Sequence, residues 1–273
     1  MKQQTIKSAF EIAGTGLHSG CSVRCCVEPA PDGNGYTFER LDLPGSPAVP
    51  GHWSAVAPGQ FATTLVSGDS RVSTVEHLLA ALYGMGVDNA HIRLDAEEVP
   101  VCDGSSAVWV REIERVGLES QQREREVLFI SDSISVVEGA RSFRSRPGVG
   151  LELNVTVEFS HPEIGEEQLM LQLTPESFKQ ELAWARTFGF KEDLDALRRM
   201  GLGKGGTLGN ALVFDESGVV NPEGLRGERE VVRHKTLDLV GDLALSGVRF
   251  EGALEWRRPG HAFTHLVLQR LRP

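Results

Sequence analysis

Two stretches of this chain follow one pattern, and the pattern limits the folds open to it. Val75-Glu76-His77 opens a helix that stops near Gly86, and an alternating strand over 89–94 follows. Val232-Arg233-His234 sits in a second helix that stops before Gly247, and an alternating strand over 248–256 follows. A helix-then-strand unit used twice predicts two related α+β halves. If the halves pack as a sandwich, each presents a histidine from the start of a helix, and the two histidines face each other.

The expected fold is therefore α+β: two related domains, each a β-sheet packed with helices, in a layered sandwich with the functional site between them. Residues 1–120 would form one domain and 126–273 the other. The polar stretch 119–124 would join them. Strands are expected over 4–12 and 21–28, joined by a turn at 14–20, and near 126–137 and 151–159. The first helix is expected to start at Ser73. Thr174-Pro175-Glu176 reads as a helix start with proline in the first turn. The glycine-rich 201–206 must be a loop. The key helix is expected over 228–245, and Pro259-Gly260 starts a last helix, His261 to Leu271.

Composition narrows the function. Hydrophobic residues make up 40% of 273, enough for a sizeable core without staples. A net charge of −10 argues against nucleic acid or an anionic membrane as partner, though a local basic pocket could still hold a small anion. The four cysteines, Cys21, Cys25, Cys26 and Cys102, lack the paired spacing of a zinc ribbon and read as reduced thiols. The first residues lack the apolar stretch of a signal peptide, and the most apolar run, 78–87, is far too short to span a bilayer. A cytoplasmic protein with no stable membrane insertion is expected, and a monomer.

The chemistry concentrates in the two helices. His234 and Asp238 lie four residues apart, so an imidazole and a carboxylate share one helix face and can point at one metal ion. Asp242 extends that face. Solvent would explain such a polar stripe equally well. His77 offers a second imidazole, or simply a core histidine. Two His and one Asp make a three-donor site with an open position, which suits a metal that activates water. Glu76 has two readings: closure of a capping box with Ser73, or a general base. His261 falls at a helix N-terminus, where the dipole lowers its pKa, and Asp242 is the carboxylate that could hold its proton. His52 and His91 read as surface or packing residues, whereas His18 and His161 stay open. The loop holding Lys204 lacks the order of a P-loop.

Taken together, these segments resemble the UDP-3-O-acyl-N-acetylglucosamine deacetylases of Gram-negative lipid A synthesis. The resemblance rests on Gly16-Leu17-His18-Ser19-Gly20, Ser73-Thr74-Val75-Glu76-His77-Leu78, Asp103-Gly104-Ser105, Ala185-Arg186-Thr187-Phe188-Gly189-Phe190, Asn221-Pro222-Glu223-Gly224-Leu225-Arg226, Val232-Arg233-His234-Lys235 with Leu237-Asp238 and Gly241-Asp242-Leu243, and Gly260-His261-Ala262. It covers essentially the whole chain. It implies zinc-dependent hydrolysis of an N-acetyl group, the committed step of lipid A biosynthesis, with a UDP-linked acylated amino sugar as substrate. By resemblance, His77, His234 and Asp238 are the metal ligands, for Zn2+ or alternatively Fe(II). Glu76 is the base, His261 the acid, and Asp242 the residue that orients it. Thr187 and Lys235 contact the reacting carbonyl and the head group. Phe188, Phe190 and residues 200–212, within an insert near 184–215, fall where the family builds its acyl passage. Gly227 departs from the pattern, standing where an aromatic residue is expected. Lys204 and Gln60-Phe61-Ala62 depart near the passage. Two other readings remain: a metal-dependent amidohydrolase acting on a different acylated sugar, and a metal-dependent binding protein on the same scaffold.

Overall fold

The computed structural model describes residues 1–59 and 61–271. Gln60, one of the departures noted near the passage, lies outside them.

The chain builds the same sheet twice. In the first half the strand order is Phe10–Thr15, Ser22–Pro29, Ala90–Leu94, Tyr36–Arg40, Ala48–Pro50. The central strand Ala90–Leu94 arrives last, antiparallel to Ser22–Pro29 and parallel to Tyr36–Arg40. In the second half the order is Ser135–Glu138, Arg141–Arg146, Arg249–Arg257, Leu151–Glu158, Glu166–Leu173. Again the central strand arrives last, antiparallel to Arg141–Arg146 and parallel to Leu151–Glu158. A parallel pair needs a crossover, and in each half that crossover carries a long buried helix. The internal echo in the sequence is this shared topology.

Among the described residues six α-helices accompany the sheets: α1 (Glu76–Gly84), α2 (Ala107–Val116), the single turn α3 (Pro175–Ser177), α4 (Leu194–Arg199), α5 (Glu230–Ala244) and α6 (His261–Leu271). Helices α1 and α5 are the two crossovers. They pack on each other, with α5 also against α6 and the strands Leu151–Glu158 and Glu166–Leu173. Every residue of α1 is buried, and so are thirteen of the fifteen in α5. A helix buried on nearly all sides belongs between layers. The strands supply the walls by alternation: Leu151, Leu153, Val155 and Val157 all point inward from one strand. Among the described residues, no helix is long and apolar enough to cross a membrane.

Four local expectations need correction. Residues 4–12 are not one strand; Lys2–Ile6 and Phe10–Thr15 belong to different sheets. The polar stretch 119–124 lies in the strand Leu118–Glu124, antiparallel to Lys2–Ile6. The segment 126–137 divides into Val127–Phe129 and Ser135–Glu138. Helix α1 starts at Glu76, because Ser73 closes the strand Ser70–Ser73 and Thr74 takes a left-handed φ of 56° that a helix cannot continue. The turn at Thr174 does form as expected, with Thr174 and Ser177 closing a reciprocal capping box.

The close approach of α1 and α5 is set at Gly241. A Cβ there would collide with the carbonyl of Glu76, which is backbone and cannot swing aside. Helix propensity alone favours alanine by about 1 kcal/mol. The forced separation should outweigh that gain, since overpacking costs about 1–3 kcal/mol or more. Gly241→Ala is thus expected to lower the urea unfolding midpoint; an unchanged or raised midpoint would contradict this packing.

Candidate active site

Helix α5 stacks His234, Asp238 and Asp242 on one face, and all three are buried, with 6% exposure at most. The solvent explanation of this stripe therefore fails. The His234 Nδ1 lies 3.0 Å from the carbonyl oxygen of Ala185, so Nδ1 carries the proton and Nε2 is left free. That Nε2 stands 3.2 Å from Asp238 Oδ1. From α1, His77 Nε2 comes within 3.6 Å of the same oxygen. The three donor atoms lie within 4.8 Å of one another. Asp238 Oδ2 accepts from Lys235 Nζ at 2.7 Å, but Oδ1 is buried with no hydrogen-bond partner. An orphaned buried carboxylate oxygen is costly. Two imidazole nitrogens and this oxygen, facing one point, fit a divalent ion with nitrogen and oxygen preference.

Beside this set lies a carboxylate–imidazole pair. Glu76 does not close a capping box: no side-chain cap forms at α1. Its Oε2 instead accepts from the Thr63 backbone N–H at 3.1 Å, and its Oε1 is 3.8 Å from His261 Nε2. Burial pushes the Glu76 carboxyl up from its ordinary value. His261 opens α6 and places Nδ1 2.9 Å from Asp242 Oδ2. Burial would lower its pKa, as the helix dipole would, but Asp242 and then Glu76 outweigh both and push it up to about 9. The lowered pKa expected from the helix terminus is thus reversed. Burial disfavours the charged form of Lys235 too, yet Asp238 beside it holds its pKa above the ordinary value.

The remaining sequence motifs build the frame. Arg186 is buried and donates from Nε to Glu230 Oε1 at 2.9 Å, pinning the strand Phe188–Phe190 and the Ala185 carbonyl to the start of α5. Arg226 pairs with Asp103 at 2.8 Å, which ties two motifs together. Thr187 is held by its backbone, donating to the Gly104 carbonyl at 2.7 Å and accepting from the Leu212 N–H at 2.8 Å. The Phe188 ring lies 6.2 Å from the His234 ring and meets Phe159 edge-on at 5.4 Å. Phe190 joins Phe159, His161 and Phe214 along a groove of about 910 Å³. The 201–206 loop packs elsewhere, on the turn holding His18, where Gly201 and Leu202 share a cleft with Phe61 and Ala62. The phenylalanines and the glycine loop thus line different depressions. Lys235 opens onto a third groove, lined also by Arg141, Phe159 and Arg258. Of the discounted histidines, His91 is partly buried between Glu28 and Glu39 on a sheet face.

The departure at Gly227 has a local cause. A Cβ there would stand 2.6 Å from the Trp184 ring, so the indole occupies the space an aromatic residue would need. Arg233 lies over that ring at 5.5 Å.

Three groups at the site were not among the candidates read from the sequence. Thr63 is buried and hydrogen-bonds Asp242. His265 Nε2 sits 3.4 Å from Asp242 Oδ1. Glu98 is buried and accepts from the N–H groups of His18 and Ser19 and from the Thr74 hydroxyl, joining the 16–20 turn to the start of α1. Thr63 and Glu98 come from segments distant in sequence, with residue types common everywhere, whereas His265 lies one turn beyond His261 on α6.

A buried two-histidine, one-carboxylate set next to a carboxylate–imidazole pair is the equipment of metal-dependent hydrolases. Comparison with known proteins makes the class specific. The family model for UDP-3-O-acyl N-acetylglycosamine deacetylases (LpxC) matches residues 3–272. Proteins named UDP-3-O-acyl-N-acetylglucosamine deacetylase from Geobacter sp. (strain M21) and from Myxococcus xanthus (strain DK1622) are 39% and 40% identical over 269 residues. Those alignments cover 98% of this chain and 88% and 86% of the relatives. The chain belongs to the UDP-3-O-acyl N-acetylglycosamine deacetylase family, which is a family of metal-dependent enzymes.

The His261–Asp242 pair makes stability depend on pH. The folded pKa of His261, about 9, lies above its ordinary 6.5, so its contribution is complete below pH 6.5 and is lost as pH rises through 9. In an NMR titration of the metal-free protein, the His261 ring should remain protonated at pH 7.5. A ring already neutral at that pH would contradict the carboxylate-dominated environment.

Proposed function

We propose that this chain hydrolyses the N-acetyl group of UDP-3-O-acyl-N-acetylglucosamine, giving acetate and the free amine, and that it does so as a monomer in the cytoplasm with zinc at the site. The observation that carries the reading is the convergence of His77, His234 and the orphaned Asp238 oxygen beside Glu76 and His261. Fe(II) suits the same donors, and the choice of zinc rests on their likeness to hydrolytic sites. When bound, such an ion polarises a carbonyl and makes water acidic enough to lose a proton near neutral pH.

The protein's own groups supply the rest. Glu76, with its pKa raised by burial, takes a proton from the attacking water. The oxygen adds to the acetamide carbon, and the Thr187 hydroxyl is assigned to the carbonyl oxygen as charge develops there. His261 is protonated at neutral pH and gives its Nε2 proton to the departing nitrogen, while Asp242 steadies the ring through Nδ1. The C–N bond breaks, and acetate and amine result. Lys235, Arg141 and Arg258 line one groove together with Glu138 and Glu158, and the cations are assigned to the nucleotide phosphates, against the acidity of the whole chain. Phe188 and Phe190 give the acyl chain an apolar surface that begins beside His234.

Glu76→Gln should keep the metal and lower turnover by about two to four orders of magnitude, the usual scale of general acid–base help. His77→Ala, His234→Ala and Asp238→Ala should lose metal and acetate release together. Metal analysis after dialysis, paired with acetate release, reads both. Full occupancy in all three alanine variants would end the ligand assignment, and near-normal turnover of Glu76→Gln would end its role as base. Substrates lacking the nucleotide should show a raised KM. Equal efficiency without it would favour a different acylated sugar.

A further inference from the structure

We infer that Thr63 is a positioning residue that holds the base and the acid in register, an inference that rests on the proposed roles of Glu76 and His261. Thr63 is buried, with 1% exposure, just before the strand Thr64–Ser67. Its backbone N–H donates to Glu76 Oε2 at 3.1 Å. Its hydroxyl lies 2.6 Å from Asp242 Oδ1 and 2.9 Å from His261 Nδ1. One residue thus touches the base on α1, the carboxylate on α5 and the imidazole on α6.

Proton counting fixes the direction of each bond. The ionised Asp242 carboxylate can only accept, so the single hydroxyl proton of Thr63 goes to Oδ1. The hydroxyl oxygen then has only lone pairs to offer His261, so Nδ1 must carry a hydrogen, shared between Thr63 and Asp242 Oδ2 at 2.9 Å. Nε2 is the nitrogen left to face Glu76 and the site. Asp242 alone would permit the ring to swing between its two oxygens, at 2.9 and 3.1 Å. The hydroxyl supplies a third point and stops that swing. The bond to Glu76 comes from the backbone and survives substitution, so a side-chain variant isolates the hydroxyl.

The test compares Thr63→Val, which keeps the shape and removes the hydroxyl, with Thr63→Ser, which keeps the hydroxyl. Long-range 1H–15N spectra of the zinc-loaded protein should show a protected Nδ1–H of His261 in the parent. That signal should be broadened or lost in Thr63→Val and return in Thr63→Ser. In Thr63→Val kcat should fall about 10–100-fold, the usual cost of losing an outer partner of an active-site group, with KM and bound zinc within about twofold of the parent. If the valine variant does not fold, Thr63→Ala is read in the same way. An unchanged His261 Nδ1–H signal without the hydroxyl, or parental kcat, would overturn the inference. Should the parent release no acetate, the deacetylase reading fails, and the His261 signal still decides the role of Thr63.

Discussion

The site exists because two helix backbones touch. Gly241 lets α5 approach the carbonyl of Glu76 closely enough for His77 to reach Asp238 and for Glu76 to reach His261. The metal-donor set is split between α1 and α5, and the Glu76–His261 pair between α1 and α6, so neither half of the chain contains the whole site. The duplicated sheet topology explains how this comes about. Each half delivers its central strand through a crossover helix, and the two crossovers meet between the sheets. A sandwich of two such units places the helix starts, with His77 and His234 near them, against each other. Their rings stand 5.0 Å apart and nearly perpendicular.

Burial then sets the chemistry. Three carboxylates, Glu76, Asp238 and Asp242, share a space nearly closed to water. Desolvation raises the pKa of any lone carboxylate, and the outcome at each depends on its neighbours. At Glu76 burial outweighs the nearby His261 imidazole, and the carboxyl is shifted upward. Asp242 is held well down against burial by His261 and His265, and Asp238 by His234 and Lys235. The same carboxylates keep His261 charged. Two carboxyls held below their ordinary range and one pushed above it come from one chemical group placed in three environments.

Local spacing carried much of this in the sequence, and long-range contact carried the remainder. The four-residue steps from His234 to Asp238 to Asp242, and the start of α6 at His261, are written in consecutive residues, so they were legible. The two-halved α+β sandwich was legible from the repeated helix–strand unit. The start of α1 was not, because Ser73-x-x-Glu76 matches a capping box locally while strand pairing and the left-handed Thr74 decide otherwise. The pairing of 119–124 with the first strand was equally hidden, since its polar residues lie on an exposed edge. Thr63, Glu98 and His265 were missed because their importance comes only from partners 13 to 198 residues away. The departure at Gly227 was legible, but its cause, Trp184 filling the space above it, was not.

The central claim is that the His77–His234–Asp238 set holds the metal on which amide hydrolysis depends. Acetate release from UDP-3-O-acyl-N-acetylglucosamine by metal-stripped protein, with and without added zinc, tests it most directly. The account predicts negligible release without metal and full release at one zinc per chain. Undiminished release by the stripped protein, or none from a folded, zinc-loaded sample, would contradict it.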